Sequence, residues 1–310
     1  MKALLKALDN YLTLRRSMGF KLIEHERVLR KFIAFMHTQG AIFITTQQAL
    51  SWAQQPLHTS KAHRARRLGM VRDFARYLSA TDPRTEIPPQ GLLPAQPQRA
   101  QPYIYTEEQI VSLVRQAASL TPVDGLRPHT HSTLFGLLAV TGMRIGEAMA
   151  LNRNDVDLND GILTVRNSKF NKTRIIPLHR STQRKLHAYA QHRDMLMPVR
   201  ASESFFLSDA GTRLYYEIVW RAFDRVSRQI GLRGPTDSHG PRLHDLRHTF
   251  AVRTLTNWYR SGINPEQRLS LLSAYLGHAK VSDTYWYLSA VPELLGAVST
   301  RLDNFFGDLS

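Results

Sequence analysis

Residues that could act together on a phosphate group recur in short segments from residue 141 onward. Arginine binds a phosphate through two parallel hydrogen bonds and stays protonated, while histidine and lysine supply further donors or protons. A tyrosine hydroxyl can attack phosphorus as a nucleophile. The sequence offers this set in Arg144, Lys169, His244, Arg247, His278, Tyr285 and Tyr287. The chemistry that these residue types favour is attack on a phosphodiester by a tyrosine.

The sequence around Arg144 and His244 indicates how these side chains are presented. Arg144 follows Gly142 at a sharp bend that leads into a helix, and a helix amino end favours anions. Glu147 lies three residues further on and could orient Arg144, although a surface salt bridge would use the same spacing. His244 and Arg247 are also three residues apart, so on a helix they share one face.

The segment His-Asp-Leu-Arg-His, residues 244–248, has an alternative interpretation as a zinc site. It differs from the zinc-binding helix His-Glu-x-x-His by one residue. Asp245 is one methylene shorter than the Glu of that motif, Arg247 would bring a cation next to the metal, and no third ligand follows at a suitable spacing. We therefore expect no metal, and we interpret His248 as a structural histidine that is hydrogen-bonded within its own domain.

Lys169 lies in a turn between two predicted strands, from which its ammonium group could reach a leaving oxygen. To act as a general acid it needs a lowered pKa, which neighbouring arginines would provide. Lys172 is a competitor for this role in the same turn. A merely solvated lysine is the alternative for both.

Gly277 is predicted to end a helix, which leaves His278 at the start of a loop. Tyr285 and Tyr287 follow within ten residues. Either tyrosine could be the nucleophile, and either could instead be a buried core aromatic, so spacing alone leaves this choice open.

Composition supports a polyanionic partner. The 310 residues contain 41 Lys and Arg against 25 Asp and Glu, a formal net charge of +16, and nucleic acid is the commonest partner of so basic a protein. The chain has no cysteine, which excludes disulfides, thiolate zinc sites and a cysteine nucleophile. Neither a signal peptide nor a membrane-spanning stretch is evident, so we expect no membrane partner and a cytoplasmic location.

Apolar residues recur at helical spacing throughout residues 1–82, which predicts an all-helical domain. A small helical bundle with one strongly basic helix is what a clamp on DNA requires. Ser60 is predicted to begin a helix that runs to Leu78. Residues 1–90 contain 15 Lys and Arg but only 6 Asp and Glu, and this helix carries a basic cluster. The candidate DNA-binding residues here are Lys61, His63, Arg64, Arg66 and Arg67, with Lys172 in the second domain. A solvated helix face is the alternative.

A linker and a second domain follow. Six prolines and few apolar residues between 83 and 102 predict an extended linker. Thr106 and Gln109 have the pattern of a capping box, so a second domain is predicted over residues 103–310.

The second domain is predicted to be mainly helical with a small sheet. Residues 161–165 and 173–178 predict two antiparallel strands, and the turn between them carries Lys169. An apolar helical stripe over about 292–310 could dock on a neighbouring subunit or on its own domain.

In order and spacing these segments resemble the tyrosine recombinases, the phage integrase family. That family has an Arg in a Thr-Gly-x-Arg-x-x-Glu block, a hairpin Lys, a His-x-x-Arg pair, a Leu-Gly-His block, and a nucleophilic Tyr nine residues after that His. The matching residues here are Arg144, Glu147, Lys169, His244, Arg247, His278 and Tyr287. The resemblance thus favours Tyr287 over Tyr285. The loop with Lys169 is one residue longer than in common relatives, and residues 285–290 resemble the transposon-borne branch of the family.

The resemblance implies a fold that is mainly α with a small antiparallel β-sheet. An N-terminal all-helical core-binding (SAM-like) bundle and an α+β catalytic domain would form a clamp around double-stranded DNA. The enzyme would act as a homotetramer on two recombination sites, with residues 292–310 exchanged between subunits and with accessory or partner recombinases. No ATP, metal or other cofactor is implied.

The resemblance also implies the mechanism. Tyr287 would attack the scissile phosphate, which gives a 3′-phosphotyrosyl bond and a free 5′-hydroxyl group. Lys169 would protonate the leaving oxygen. The residues implied to hold the phosphate oxygens are Arg144, Arg247, His244 and, through one further hydrogen bond, His278.

Two other functions use parts of the same pattern. A type IB topoisomerase shares the tyrosine chemistry but relaxes DNA as a monomer, and the apolar stripe and two-domain size favour recombination over it. A catalytically silent DNA-binding protein would have no need for the full set of polar residues.

Overall fold

The structure is a computed structural model that describes residues 2–55, 59–94, 101–166, 173–199, 202–278 and 280–290. The chain forms two compact units, Met1–Ala100 and Gln101–Ser310. Three features predicted from the sequence, namely Lys169, Lys172 and the helix over 292–310, lie outside the described residues.

The described part of the first unit contains four helices: α1 (Lys2–Ser17), α2 (Ile23–Thr38), α3 (Thr46–Gln54) and α4 (Lys61–Leu78). Ser60 caps α4 as predicted, because its side chain accepts a hydrogen bond from the backbone N–H of His63. The helices enclose one apolar core, whose fully buried members include Leu8, Leu29, Phe32, Met36, Val71 and Phe74.

The basic side chains on α4 differ in their surroundings: some are exposed to solvent, and Arg67 contacts the neighbouring helix. Lys61, His63 and Arg66 are exposed. The guanidinium of Arg67 instead lies 3.8 Å from the centre of the Trp52 ring and donates a hydrogen bond to the Trp52 carbonyl oxygen at 3.1 Å. Arg67 therefore also joins α4 to α3 through a cation–π contact.

Part of the segment that composition assigns to a linker is attached to the helical bundle. Thr85 is buried, and the N–H of Glu86 donates to the Ile44 carbonyl oxygen at 2.8 Å. Arg72 on α4 donates to the carbonyl oxygens of Pro88 and Pro89 at 2.6 and 2.8 Å. Proline lacks an N–H group but keeps its carbonyl acceptor, so an arginine can still bind a proline-rich segment through hydrogen bonds.

The second unit begins with α5 (Glu107–Ala117), which carries the predicted capping box of Thr106 and Gln109. The next helices are α6 (Leu126–Thr141) and α7 (Ile145–Ala150). A three-stranded antiparallel sheet then follows in the order β1 (Val156–Asp157), β2 (Ile162–Val165) and β3 (Arg174–Pro177). Both predicted strands are present, whereas β1 spans only two residues and has no sequence pattern of its own.

The remaining helices are α8 (Arg180–Leu196), α9 (Tyr216–Gln229), α10 (Leu243–Arg260), α11 (Pro265–Leu276) and α12 (Ser282–Ala290). The buried helix α6 contacts α5, α8 and α10 and forms the centre of the unit. The architecture is mainly helical with a small antiparallel sheet, as predicted. Among the described residues, none of the helices combines the length and apolar character that crossing a membrane requires.

Candidate active site

Gly142 creates the bend that presents Arg144. It ends α6 in the left-handed conformation, with φ of 61°, and a Cβ atom there would lie 2.5 Å from Cδ1 of Phe250 on α10. Only glycine fits such a position without strain. After the bend, Arg144 is the N-cap residue of α7, at the helix amino end that the sequence predicted.

Glu147 binds two arginines at once. Its carboxylate accepts hydrogen bonds from the backbone N–H and from Nη1 of Arg144, both at 2.9 Å. It also accepts from Nη1 and Nη2 of Arg174 on β3, at 3.1 and 2.7 Å. The side chains of Glu147 and Arg174 are only 10% and 11% exposed, so this is a buried ion pair. Glu147 thus fixes Arg144 on one side and the β-sheet on the other.

Opposing effects act on the pKa of Glu147. Burial raises it, but hydrogen bonds and charge from Arg174, together with hydrogen bonds from Arg144, outweigh the burial. The net result is a lowered pKa. Glu147 is therefore a carboxylate at neutral pH, and it can compensate the charge of the arginines beside it.

The guanidinium groups of Arg144 and Arg247 converge on the end of α11. Arg247 donates to the carbonyl oxygens of Gly142 and Leu276 at 2.9 and 2.7 Å, and it is 2% exposed. Arg144 donates to the next carbonyl oxygen, that of Gly277, at 3.0 Å. Burial and then the positive charge of Arg144 lower the pKa of Arg247 to about 10. Arg247 therefore stays charged at neutral pH, and the two neighbouring guanidinium groups make the site attractive to an anion.

His244 lies one turn before Arg247 on α10, as its spacing predicts, and part of its side chain is exposed. Its pKa is lowered to about 4, first by the loss of water around the ring and then by the positive charge of Arg247. The imidazole is therefore neutral at neutral pH, and it can donate one hydrogen bond without adding charge.

Gly277 ends α11 in the left-handed conformation, as predicted, with φ of 68°. A Cβ atom there would lie 2.8 Å from Nη1 of Arg174, so the guanidinium packs against the glycine. Arg174 also donates to the Tyr275 carbonyl oxygen at 2.8 Å. The chain then turns into His278, whose Nδ1 lies 2.7 Å from Oγ1 of Thr284. The same arginine that binds Glu147 therefore supports the turn that carries His278.

The two candidate tyrosines on α12 differ in their surroundings. Tyr285 is 51% exposed, whereas Tyr287 is 2% exposed and packs in a small apolar cluster. The hydroxyl oxygen of Tyr287 lies 3.0 Å from Nδ1 of His248, and its ring lies parallel to that of His278 with centroids 6.3 Å apart. Ionisation of Tyr287 would raise the pKa of Arg247. The phenol oxygen therefore lies within the electrostatic reach of that guanidinium.

Within the described residues, the site brings together five of the six side chains that the sequence singled out for catalysis. They are Arg144, His244, Arg247, His278 and Tyr287, and Glu147 supports the first of them. Two guanidinium groups, a neutral imidazole and a phenol around one point can bind a phosphodiester and present a nucleophile to it.

Sequence reasoning missed two residues of the site. Arg174 was read only as part of a strand, although an arginine beside Ile175 and Ile176 is a signal of a buried charge partner. His248 is hydrogen-bonded within its own domain, as predicted, but its partner is the hydroxyl of Tyr287, which the sequence did not indicate. Its position one turn after His244, on the same helix face, was the available signal.

Among the described residues, no group of three or more His, Cys, Asp or Glu side chains is arranged to hold a metal ion.

Comparisons with known proteins identify relatives of the chain. The family model described as the phage integrase family matches residues 104–293. The protein y4rB of Sinorhizobium fredii, named as an integrase/recombinase, is 47% identical over 312 residues and covers 99% of each chain. The tyrosine recombinase XerC of Chlamydia trachomatis is 31% identical over 231 residues, which cover 74% of this chain and 67% of XerC.

The chain belongs to the phage integrase family. Site-specific recombination is accordingly its activity, and it is a tyrosine recombinase.

Solved structures share the fold. The integrase of transposon Tn1549, bound to transposon right-end DNA, is 16% identical with a TM-score of 0.63, and the match covers 96% of this chain and 99% of that one. The XerA recombinase is 23% identical with a TM-score of 0.51 over 97% and 98% of the two chains.

Proposed function

We propose that this recombinase cuts and rejoins double-stranded DNA with Tyr287 as its nucleophile. In the cleavage step the tyrosine oxygen bonds to phosphorus and the bond from phosphorus to the 5′ oxygen breaks. The products are a 3′-phosphotyrosyl bond and a free 5′-hydroxyl group. The 5′-hydroxyl group of a partner duplex then reverses the step. Because the covalent bond to the enzyme preserves the phosphodiester energy, the reaction needs no nucleotide hydrolysis.

One observation carries this proposal. Arg144 and Arg247 donate to adjacent carbonyl oxygens at the end of α11, and the hydroxyl oxygen of Tyr287 lies 3.0 Å from Nδ1 of His248, the residue that follows Arg247 on α10. This arrangement supports a phosphate that both guanidinium groups bind near the phenol oxygen. We assign the two arginines and His244 to the nonbridging oxygens, where negative charge develops in the transition state.

The remaining assignments are for Lys169 and His278. We propose that Lys169 protonates the 5′ oxygen as it leaves and that His278 donates a further hydrogen bond to the phosphate. The strand β3, which follows Lys169 in the sequence, is fixed to Glu147 through Arg174. This contact supports a role for the turn next to the bound phosphate.

The proposed partner is double-stranded DNA that carries specific recombination sites. The net charge of +16 and the exposed Lys61, His63 and Arg66 on α4 support phosphate contacts. Binding should weaken steeply with added salt, because each neutralised phosphate releases counterions. The DNA-bound Tn1549 integrase supports a mobile-element role. Since DNA is the substrate, we assign the enzyme to the cytoplasm.

We further propose that four copies assemble on two recombination sites, with accessory or partner recombinases where the element requires them. Residues 292–310 carry an apolar pattern at helical spacing, which suits docking on a neighbouring subunit. Sedimentation of the enzyme with and without a pair of sites would measure the assembly. A complex that never exceeds two protomers on paired sites would contradict the tetramer.

A nicked duplex that traps the covalent complex tests the function. Wild-type enzyme should form a protein–DNA adduct that resists denaturation. Tyr287→Phe should form none, while the matched variant Tyr285→Phe should form it at a rate close to wild type. An adduct that persists in Tyr287→Phe and disappears in Tyr285→Phe would overturn the assignment of the nucleophile.

A further inference from the structure

The residue in contact with the Tyr287 hydroxyl is His248, which the mechanism above does not use. His248 lies on α10 one turn after His244 and is 8% exposed. Its Nδ1 is 3.0 Å from the phenol oxygen, a hydrogen-bond distance. The contact joins residues that are 39 positions apart in the sequence. A buried imidazole therefore holds the atom that must become a nucleophile.

The ring of Tyr287 lies in apolar surroundings. The Tyr287 ring packs with Val252, Leu255, Leu272 and Leu276 in an apolar cluster. Water is largely excluded from the ring, which is 2% exposed. A phenol whose proton stays in place is a weak nucleophile, so a side chain that accepts the proton would raise its reactivity.

Charged and titratable groups approach this contact from several elements. His244 lies on the same helix, its ring at right angles to that of His248 with centroids 4.7 Å apart. The charged groups that shift the pKa of His244 are Arg247 and Asp245 on α10, Arg242 directly before α10 and Arg144 before α7. The ring of His278, after α11, lies parallel to that of Tyr287. The guanidinium of Arg247 would stabilise the negative charge of a forming phenolate.

We propose that His248 is the catalytic residue that accepts the phenol proton of Tyr287. This inference rests on the proposed nucleophilic role of Tyr287. As the tyrosine oxygen bonds to phosphorus, its proton moves to Nδ1 of His248, and the bond to the 5′ oxygen breaks while that oxygen takes a proton from the general acid. In the rejoining step, His248 returns the proton to the departing tyrosine oxygen.

His244 is the competing proton acceptor. Its lowered pKa makes it a weak base, and it lies beside Arg247, where a hydrogen-bond donor to phosphate is useful. His248 has the direct contact with the phenol oxygen. We therefore assign phosphate binding to His244 and acceptance of the phenol proton to His248.

The test compares His248→Asn with wild type on two duplexes. Asparagine positions an oxygen near the place of Nδ1, so it keeps the hydrogen bond but cannot accept a proton. One duplex carries the ordinary phosphate, and the other carries sulfur in place of the bridging 5′ oxygen. Sulfur leaves without protonation, so loss of the general acid has little effect on the second duplex, whereas loss of the base affects both.

We expect His248→Asn to slow covalent adduct formation about 10²- to 10⁴-fold at neutral pH on both duplexes. The rate should recover as the pH rises, because hydroxide then removes the phenol proton. The matched variant His187→Asn, at an exposed histidine on α8, should behave as wild type. Wild-type cleavage of the sulfur duplex should slow in D2O, because only the tyrosine proton is then transferred.

Three results would overturn the inference while leaving Tyr287 as nucleophile. They are wild-type rates in His248→Asn, a defect confined to the oxygen duplex, and the same defect in His244→Asn but not in His248→Asn. If His248→Asn does not fold, the absence of a D2O effect in wild type on the sulfur duplex would also overturn it. An adduct formed by Tyr287→Phe would instead refute the proposed function itself.

Discussion

Replacement of Glu147 by glutamine tests whether the buried ion pair positions Arg144. The carboxylate accepts four hydrogen bonds, two from Arg144 and two from Arg174. A glutamine side chain has one acceptor oxygen, so at most two of these bonds survive, and its NH2 group faces the N–H donors of the arginines. Arg174, which is 11% exposed, then loses its counter-charge.

The magnitude follows from these contacts. Two lost charge-assisted hydrogen bonds at about 1.5–3 kcal/mol each, and one buried charge left without its partner, predict a loss of about 3–5 kcal/mol. For a unit of this size the melting temperature should fall by roughly 6–20 °C. Because Arg144 also loses its support, adduct formation on the nicked duplex should slow at a temperature where the variant is still folded.

The pH dependence gives a second signature. The folded-state pKa of Glu147 is lowered from 4.5, so its contribution to stability is complete above that value and is lost as the pH falls through the folded-state pKa. Glu147→Gln should lack this acid-dependent loss. The matched variant Glu217→Gln, on the exposed start of α9, should stay within about 0.5 kcal/mol of wild type. Calorimetry between pH 3 and pH 7 measures the stability of both variants. A wild-type melting temperature and wild-type cleavage in Glu147→Gln would show that the ion pair does not position Arg144.

Three further predictions concern other parts of the chain. Gly142→Ala should cost about 1–2 kcal/mol for the left-handed backbone alone and more for the overlap with α10. Gly146→Ala, within α7, meets nothing within 4 Å, and alanine favours a helix over glycine, so this variant should not melt below wild type. Arg67→Ala should destabilise the first unit by about 1 kcal/mol, because the cation–π contact with Trp52 is lost. Arg66→Ala, at an exposed side chain, should weaken DNA binding without a change in melting temperature. Equal melting temperatures of the two variants would contradict this. The folded-state pKa of His244 is lowered from 6.5 to about 4, so stability should fall as the pH drops through this window, and His244→Asn should show a smaller fall.

The sequence was sufficient where a local signal determines the structure. The left-handed glycines that end α6 and α11, the capping box before α5 and the hairpin of β2 and β3 each rest on neighbouring residues. The turns at the two glycines, Gly142 and Gly277, present Arg144 and His278. The spacing of His244 and Arg247 likewise predicted that both side chains belong to one helix.

Contacts between distant residues could not be predicted from spacing. Arg174 binds Glu147 across 27 positions, and His248 meets Tyr287 across 39. No local pattern encodes such pairs, because tertiary packing alone decides which charged groups meet. The attachment of Pro88 and Pro89 to Arg72 has the same origin, since composition predicted only an extended linker over these residues.

The most direct test of the account locates the covalent bond to DNA. After cleavage of the nicked duplex, nuclease and trypsin digestion should yield a nucleotide-linked peptide spanning residues 281–301, which contains both candidate tyrosines. Fragmentation in a mass spectrometer then assigns the modified residue. We expect a nucleotide 3′-phosphate on Tyr287. A modification on Tyr285, or on any residue outside this peptide, would contradict it.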